Sequence, residues 1–137
     1  MGPLLFLIYI NDLPLHVDSS CVDLYADDTT LHHSDVNLDD VTVCVNKDLA
    51  NVAKWCDANR LIVNEKKTKS MLICSSQKRA HVNMNEFNVL YEGKEVEYCN
   101  EQKILGVHVD ENLQWRCHID HIIMWKTIQS AMFTVQA

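Results

Sequence analysis

The sequence predicts an α+β fold built around an antiparallel sheet, on three observations. Apolar residues at positions 38, 41, 45, 49, 52 and 56 mark one face of a long helix. Two stretches, CVDLYADDTTLHHS and FNVLYEGKEVEYC, each have the pattern of a β-hairpin. Strands and helices follow one another in blocks and not in βαβ alternation, which favours an antiparallel arrangement. A chain of 137 residues, 47% of them hydrophobic, is long enough to bury one core.

The first element is the apolar run LLFLIYI, which follows Gly2 and Pro3. Proline suits the first helical position, and few residues of the run are β-branched, so we expect a helix, although periodicity alone does not separate a buried helix from a buried strand. The run is about half the length of a membrane span and lacks the basic start of a signal peptide. We therefore expect a buried element, no membrane partner, and an intracellular protein of the nucleus or cytoplasm that is not secreted.

Residues 21–34 are interpreted as two short strands that meet at Ala26, Asp27 and Asp28. β-Forming residues flank the turn, and aspartate favours a tight turn because its side chain bonds to the local backbone. A hairpin follows, with His32 and His33 at an exposed strand end.

The long helix begins near Leu38. Asn37 suits its N-cap, and Asn59 is expected to close it in the left-handed conformation. Its early run VTVCV has strand propensity, so its second half is the better defined.

The rest of the chain predicts further strands and a final helix. We expect strands in RLIVN and KSMLICSS around the basic turn EKKT, a hairpin turning at Glu92 and Gly93, one strand in KILGVHVD, and an amphipathic helix from Gln114 to about Ser130.

Charge is unevenly distributed over a chain of net charge −7. Residues 1–53 hold one lysine and nine aspartates, whereas residues 54–79 hold seven basic and two acidic residues. Affinity for nucleic acid depends on Lys and Arg contacts to phosphate, so we expect weak or no binding by this chain alone. The central basic stretch is either a phosphate-facing surface or a solvated face.

Six cysteines occur without a CxxC pair, which gives no zinc or redox signature. We expect buried free thiols in a reducing compartment. Cys117, His118 and His121 have the spacing of zinc ligands on a helix, but a packing role fits better. Trp55 and Trp115 could stack on bases, and their helical positions favour the core.

Asp27 and Asp28 are candidate metal ligands. Two-metal phosphoryl transfer needs cations about 3.5–4 Å apart, held by carboxylates from separate strands. Magnesium prefers such hard oxygen ligands. Neighbouring side chains of an extended chain point to opposite faces, so we expect Asp27 to be the direct ligand. By itself the dipeptide favours a solvated turn. The surrounding sequence decides between a solvated turn and a metal-binding pair.

That context is a set of four ordered blocks, GPLLFLIYINDLP, LYADDTTL, WCDANRLIVNEKKTKSMLI and KILGVHVDENLQWRCHIDHI. Together they resemble the palm of reverse transcriptases encoded by LINE-type (non-LTR) retrotransposons, over roughly residues 2–33 and 55–123. The resemblance implies a partial polymerase palm without fingers in residues 1–112. It also implies that residues 113–137 begin the thumb with a connecting helix.

The resemblance also implies roles for the hairpin. Asp27 becomes a metal ligand and Asp28 its supporting partner, with Mg²⁺ or Mn²⁺ as the cofactor. Tyr25 and Ala26 belong to the tight turn near the primer end.

Two further blocks carry implied nucleotide and primer contacts. Asn64, Lys67 and Thr68 match an Asn-x-x-Lys-Thr motif near the triphosphate. There Lys67 would neutralise or protonate the leaving pyrophosphate, whereas the alternative is a surface lysine in a basic turn. Leu105 and Gly106 resemble the hairpin that grips the primer.

The family's fingers, a preceding palm block with another aspartate, and a Gln-Gly pair are absent from this sequence, and Asp12, Asp18 and Asp23 are not expected to substitute for that aspartate. We therefore expect a fragment of an RNA-directed DNA polymerase, inactive alone, whose full-length parent uses an RNA template, a DNA primer and dNTPs. One alternative is a non-catalytic retrotransposon remnant or domesticated interaction module. Another is an unrelated α+β domain with a chance YADD.

Overall fold

The computed structural model describes residues 2–116, 118–120 and 122. The helices are α1 (Gly2–Ile10), α2 (Leu38–Ala58) and α3 (Ser76–Arg79), with 3₁₀ turns at Leu13–His16 and Met84–Glu86. The strands are β1 (Cys21–Tyr25), β2 (Asp28–His32), β3 (Leu90–Tyr91), β4 (Lys94–Glu95), β5 (Glu101–Ile104) and β6 (Val107–Asp110). Helices combined with small antiparallel sheets confirm the α+β class.

The strands form three separate hairpins within the described residues, β1–β2, β3–β4 and β5–β6. These residues therefore do not form the single antiparallel sheet that was expected. Each hairpin closes through a turn of two residues, so its strands find their partners locally.

The chain divides into two compact units. The first comprises the described residues up to Thr68 together with Val82–Glu97, and the second comprises Lys69–His81 together with the described residues from Tyr98 onward. Helices α1 and α2 and the first two hairpins belong to the first unit, whereas α3 and β5–β6 belong to the second. The proposed boundary between residues 112 and 113 stays a prediction.

Helix α1 confirms the expected helix, but it is not the buried element that its composition predicts. Leu4, Leu5 and Ile8 are 60%, 62% and 66% exposed, and Ile10 is its buried residue. The helix is apolar on every side, and one helix face suffices to contact the core. No described helix is long and apolar enough to cross a membrane.

Helix α2 confirms the amphipathic pattern and ends differently from its prediction. Asn59 has a φ of −95° because its backbone and side-chain N–H groups both donate to the Trp55 carbonyl, at 3.0 and 2.9 Å. The left-handed conformation falls instead on Arg60, with a φ of 56°. At the other end Asn37 makes no side-chain capping bond, and its amide donates to Asp40 at 3.0 Å.

The core of the first unit lies between α1, the 3₁₀ turn after it and the second half of α2. Its buried members are Ile10, Leu13, Val52, Trp55 and Cys56. Leu24 and Leu31 of the first hairpin pack against this cluster. Trp55 is thus a core residue, as expected, whereas Trp115 is 46% exposed and the expectation of a core role for it is wrong.

The strands predicted in RLIVN and KSMLICSS are wrong. Neither run forms a strand: apart from one isolated bridge between Ser70 and Tyr98, the only regular structure in them is the start of α3 at Ser76. Ile62 is 97% exposed. A short apolar run becomes a strand only when a partner strand pairs with it, and β-propensity does not supply one. The basic turn between them is present at residues 65–67.

Two tight turns follow. Glu92 and Gly93 have φ values of 50° and 77°, which confirms the hairpin predicted there. Leu105 and Gly106 have φ values of 48° and 85°, so KILGVHVD, predicted as one strand, is a second hairpin. Two successive positive φ values are the mark of a type I′ turn, whose twist matches that of the flanking strands.

The cysteines and the final helix are described in part. Cys21, Cys44, Cys56, Cys74 and Cys99 are free thiols. Only Cys56 among them is buried and Cys21 is exposed, so the expectation of buried thiols fails for Cys21. Residues 116, 118–120 and 122 are helical, whereas Gln114 and Trp115 are not, so the helix predicted from Gln114 begins later than expected. The remainder of the predicted helix, with Cys117 and His121, lies outside the described residues.

Candidate active site

The tip of the first hairpin carries the acidic pair. β1 and β2 pair from Cys21↔His32 to Tyr25↔Asp28, which leaves Ala26 and Asp27 as the two turn residues. Ala26 has a φ of 53°, in the left-handed region, and Asp27 does not. A positive φ is uncommon for a residue that carries a Cβ, so Ala26 marks the tight bend of the turn. The predicted hairpin is confirmed, with Asp28 in the strand.

The two faces of this hairpin differ in chemistry. Residues opposite each other in an antiparallel pair share a face. Leu24 and Leu31 lie on the face that packs against the core, whereas Tyr25 and Asp28 lie together on the outer face. The hairpin therefore presents its carboxylates to solvent on a strand whose other side is anchored by apolar contacts.

The carboxylates of Asp27 and Asp28 are exposed. Within the described part of the chain neither makes a hydrogen bond or an ion pair, so their oxygens remain available to a cation. Such oxygens fit Mg²⁺, which keeps several waters and needs few protein ligands. No cluster of three or more potential metal ligands occurs among the described residues, so a metal role for Asp27 and Asp28 stays a prediction.

Asp23 lies two residues before Tyr25 on the same outer face. Its carboxylate is 3.4 Å from Nδ1 of His32, and both side chains are largely exposed. Asp23 thus has an imidazole neighbour on the opposite strand, and the expectation that it does not substitute for another palm aspartate stays a prediction.

The base of the hairpin is held by a residue that sequence reasoning missed. Asp48 of α2 is completely buried, and its carboxylate accepts backbone N–H bonds from Asp18 at 3.0 Å, Ser19 at 3.1 Å and Ser20 at 2.7 Å. Burial, the largest influence, would raise its pKa, but the hydrogen bonds from residues 18–20 outweigh burial and the pKa is lowered. The signal was an acid at position 48, within the stripe of apolar positions 45, 49 and 52.

Two more contacts reach the same segment. Lys47 forms an exposed ion pair with Asp18 at 3.1 Å. On the β2 side, Nδ1 of His33 lies 2.9 Å from the Ser19 carbonyl, so His33 is half-buried and not the exposed strand end expected for it. His32 is exposed, as expected.

The Asn-x-x-Lys-Thr motif forms a turn that is closed by its own residues. The Asn64 carbonyl accepts bonds from the backbone N–H groups of Lys67 and Thr68, both at 3.0 Å, and from the Thr68 hydroxyl at 2.9 Å. The Asn64 side chain accepts a further bond from the Lys67 N–H at 3.3 Å. Asn64 and Thr68 thus shape the turn, and the Lys67 side chain is exposed to solvent.

Leu105 and Gly106 form the turn of β5–β6 in the second unit. Leu105 is more than half exposed although it is apolar, and it occupies a left-handed position that leucine rarely adopts. The tip of this hairpin therefore offers an apolar side chain to solvent.

Comparison with known protein families identifies the chain. The family model of reverse transcriptase (RNA-dependent DNA polymerase) matches residues 1–109. The chain belongs to this family. No curated protein and no solved structure matches it.

Because the chain belongs to the reverse transcriptase family, the alternative interpretation, an unrelated α+β domain in which YADD occurs by chance, is excluded. The matched span contains the hairpin tip, the Asn64–Thr68 turn and the Leu105–Gly106 turn. Reverse transcriptase domains generally use Mg²⁺, and the full-length enzyme acts on a nucleic-acid template and primer. Asp48 and residues 18–20 lie within the same span, so the anchor of the hairpin belongs to the polymerase domain as well.

Proposed function

We propose that this chain is part of the palm of a LINE-type (non-LTR) retrotransposon reverse transcriptase and carries its catalytic hairpin. The observation that carries the proposal is that Asp27 and Asp28 lie exposed at the tip of a hairpin inside the span that matches the family, with carboxylates that bond to no described residue. In this proposal residues 1–112 are palm and residues 113–137 begin the thumb.

In this proposal each residue at the hairpin tip has a role that follows from its position in the turn or strand. Asp27, in the turn, binds a divalent ion directly, and Asp28, the first residue of β2, supports it. Magnesium bound there supplies a Lewis acid for nucleotidyl transfer with a two-metal site. Tyr25 and Ala26 lie beside the carboxylates and border the primer end.

The other two predicted contacts act on substrate phosphates and primer. Lys67, exposed on a turn that Asn64 and Thr68 close, neutralises or protonates the leaving pyrophosphate with a mobile ammonium. Leu105 and Gly106, at the exposed tip of β5–β6, contact the primer.

The 137-residue chain is proposed to be inactive alone. Two-metal chemistry requires carboxylates from more than one strand, and Asp27 and Asp28 come from one hairpin tip. The excess of nine aspartates over one lysine in residues 1–53 opposes phosphate binding near that tip. RNA template, DNA primer and dNTPs are therefore substrates of the longer parent.

A primer-extension assay tests this proposal. The purified chain, with Mg²⁺, a primed RNA template and labelled dNTPs, is expected to give no extension. Extension that Asp27→Ala abolishes would overturn the proposed incompleteness.

A binding measurement tests the metal role without activity. Titration of the ¹⁵N-labelled chain with Mn²⁺ should broaden the amide signals of Ala26, Asp27 and Asp28 at lower Mn²⁺ concentration than the amide signals of other exposed acidic residues. Asp27→Asn should reduce this broadening. Asp35→Asn is the control because it removes an exposed carboxylate elsewhere. Equal broadening in wild type and Asp27→Asn would contradict the metal role.

Genomic sequence upstream of the Met1 codon separates a fragment from a remnant. A continuous reading frame that encodes the missing aspartate block and the Gln-Gly pair would assign the chain to an intact polymerase. A frame interrupted by stop codons would favour a remnant.

A second candidate function is a non-catalytic interaction module, which the exposed apolar side chains of α1 favour. Leu4, Leu5 and Ile8 form part of a large apolar surface of the kind that marks a protein interaction site. Size-exclusion chromatography tests it, because a clean monomer would speak against the module.

A further inference from the structure

The carboxylate of Asp48 in α2 is completely buried. A buried charge is tolerated when hydrogen bonds compensate for lost hydration. Here the compensation comes from three consecutive backbone N–H groups, those of Asp18, Ser19 and Ser20. No side-chain cation contacts this carboxylate within the described residues, so the backbone of residues 18–20 is its main partner.

The bound segment is the base of the hairpin. Ser20 immediately precedes Cys21, the first residue of β1. Ser19 is also held from the β2 side by His33, which directly follows that strand. Both strands thus converge on a segment whose backbone is fixed to the middle of α2.

Directional bonds at the base control where the tip lies. Leu24 and Leu31 secure the inner face through apolar contacts, which resist separation but do not define an angle. Five residues of strand extend about 16 Å, so a rotation of about 10° at the base moves the tip by about 3 Å. Displacements of about 1 Å are enough to reduce catalysis strongly.

We propose that Asp48 is a positioning residue, which fixes the angle between α2 and the β1–β2 hairpin and thereby the location of Asp27 and Asp28. The functional meaning rests on the proposed role of that hairpin. The positioning itself is a statement about this chain and is measured without polymerase activity.

Amide hydrogen exchange on the full 137-residue chain gives the first test. In the wild type the amides of residues 18–20 should exchange at least about tenfold more slowly than unstructured amides. Asp48→Asn removes the charge and one acceptor oxygen, so exchange should accelerate at least about tenfold at residues 18–20 and more weakly through β1 and β2. Amides of α2 and β5–β6 should be unchanged.

The matched control is Lys47→Ala, which removes the exposed ion pair to Asp18 and leaves the buried carboxylate in place. Its exchange rates should stay within about twofold of wild type. Uniform acceleration across all elements in Asp48→Asn would mean a general loss of stability and would overturn positioning. Unprotected amides at residues 18–20 in the wild type would overturn it even if no variant folds.

Residual dipolar couplings measure the angle directly. In the wild type, couplings from amides of β1 and β2 should fit the same alignment tensor as those of α2. In Asp48→Asn the hairpin couplings should depart from the α2 tensor or shrink through averaging, which a loss of global stability alone would not produce. Unchanged couplings in that variant would refute the proposal. Failure of the Mn²⁺ titration would instead refute the metal role and leave these results standing.

Discussion

The backbone N–H of Leu61 donates a hydrogen bond of 2.8 Å to the carbonyl of Cys56 and so closes the C-terminus of α2. Arg60 donates in turn to Asp57 at 3.1 Å. This pair of bonds is the Schellman motif, and the contact of Leu61 with the core that contains Cys56 accompanies it. The motif places Arg60 in the left-handed conformation, where glycine is preferred.

Arg60→Gly should stabilise the chain by about 1 kcal/mol, because it relieves a left-handed residue with a Cβ. Urea unfolding measures the change as a higher midpoint. Arg60→Ala is the control, since alanine removes the charge and keeps the strain, and it should lie within about 0.5 kcal/mol of wild type. A glycine variant less stable than the alanine variant would contradict this assignment.

Asp48 should make stability dependent on acid pH. Its folded pKa is lowered from the ordinary value of 3.8, so its contribution is fully present above that value and is lost as pH falls through the folded pKa. The pKa of Asp110 is also lowered, chiefly by the N–H bond from Gln114, and this contribution is common to wild type and Asp48→Asn. Urea midpoints between pH 7 and pH 2 should therefore fall less in Asp48→Asn than in wild type. An identical fall in both would exclude a contribution from Asp48.

The partly buried Arg79 and Glu111 should stabilise the second unit. Nη1 of Arg79 is 2.5 Å from the Glu111 carboxylate, and the Tyr98 hydroxyl donates to the same oxygen at 2.6 Å. Arg79→Ala leaves the acid without its cation and should destabilise the unit by about 2–3 kcal/mol, whereas Tyr98→Phe should cost about 1 kcal/mol.

Urea unfolding followed through amide signals of β5 and β6 measures these losses. Lys94→Ala is the control and is followed through amide signals of β3 and β4 in its own unit, because its pair with Glu65 is exposed and should contribute less than about 1 kcal/mol. Equal effects of Arg79→Ala and Lys94→Ala would show that burial does not strengthen the Arg79 pair.

Substitutions on the exposed side of α1 should change association and not stability. Leu5→Glu with Ile8→Glu introduces charge where both side chains are mostly exposed, so self-association should decrease and the unfolding midpoint should change little. Light scattering with size-exclusion chromatography measures this. Ile10→Ala truncates a buried side chain and should cost about 2–5 kcal/mol instead. If the double variant self-associates as strongly as the wild type, α1 does not contribute to the contact between copies of the chain.

Sequence patterns predicted the elements that local chemistry determines. Asp27 with β-forming flanks, and Glu92 with Gly93, specify turns through residues near in sequence. Helix α2 was predictable because an apolar stripe runs along most of its 21 residues. In each case the information lies within the segment itself.

The remaining features depend on partners distant in sequence. RLIVN has the composition of a strand but meets no pairing strand, and Leu105 gives no turn signal because leucine rarely adopts a positive φ. Asp48 carries no sign of burial except its place on an apolar stripe, since its partners are backbone groups about 30 residues earlier. For the candidate site, the hairpin tip was predictable and its anchor was not.

The separation of the strands into three hairpins leaves open edges. Neither β1 nor β2 pairs with a third strand in the described part of the chain, so each presents a row of backbone donors and acceptors along its outer side. Such an edge accepts an added strand through main-chain hydrogen bonds. The hairpin that carries the acidic tip can thus pair with a further strand along either edge. A strand of another polypeptide bound there would bring its own side chains beside Asp27 and Asp28.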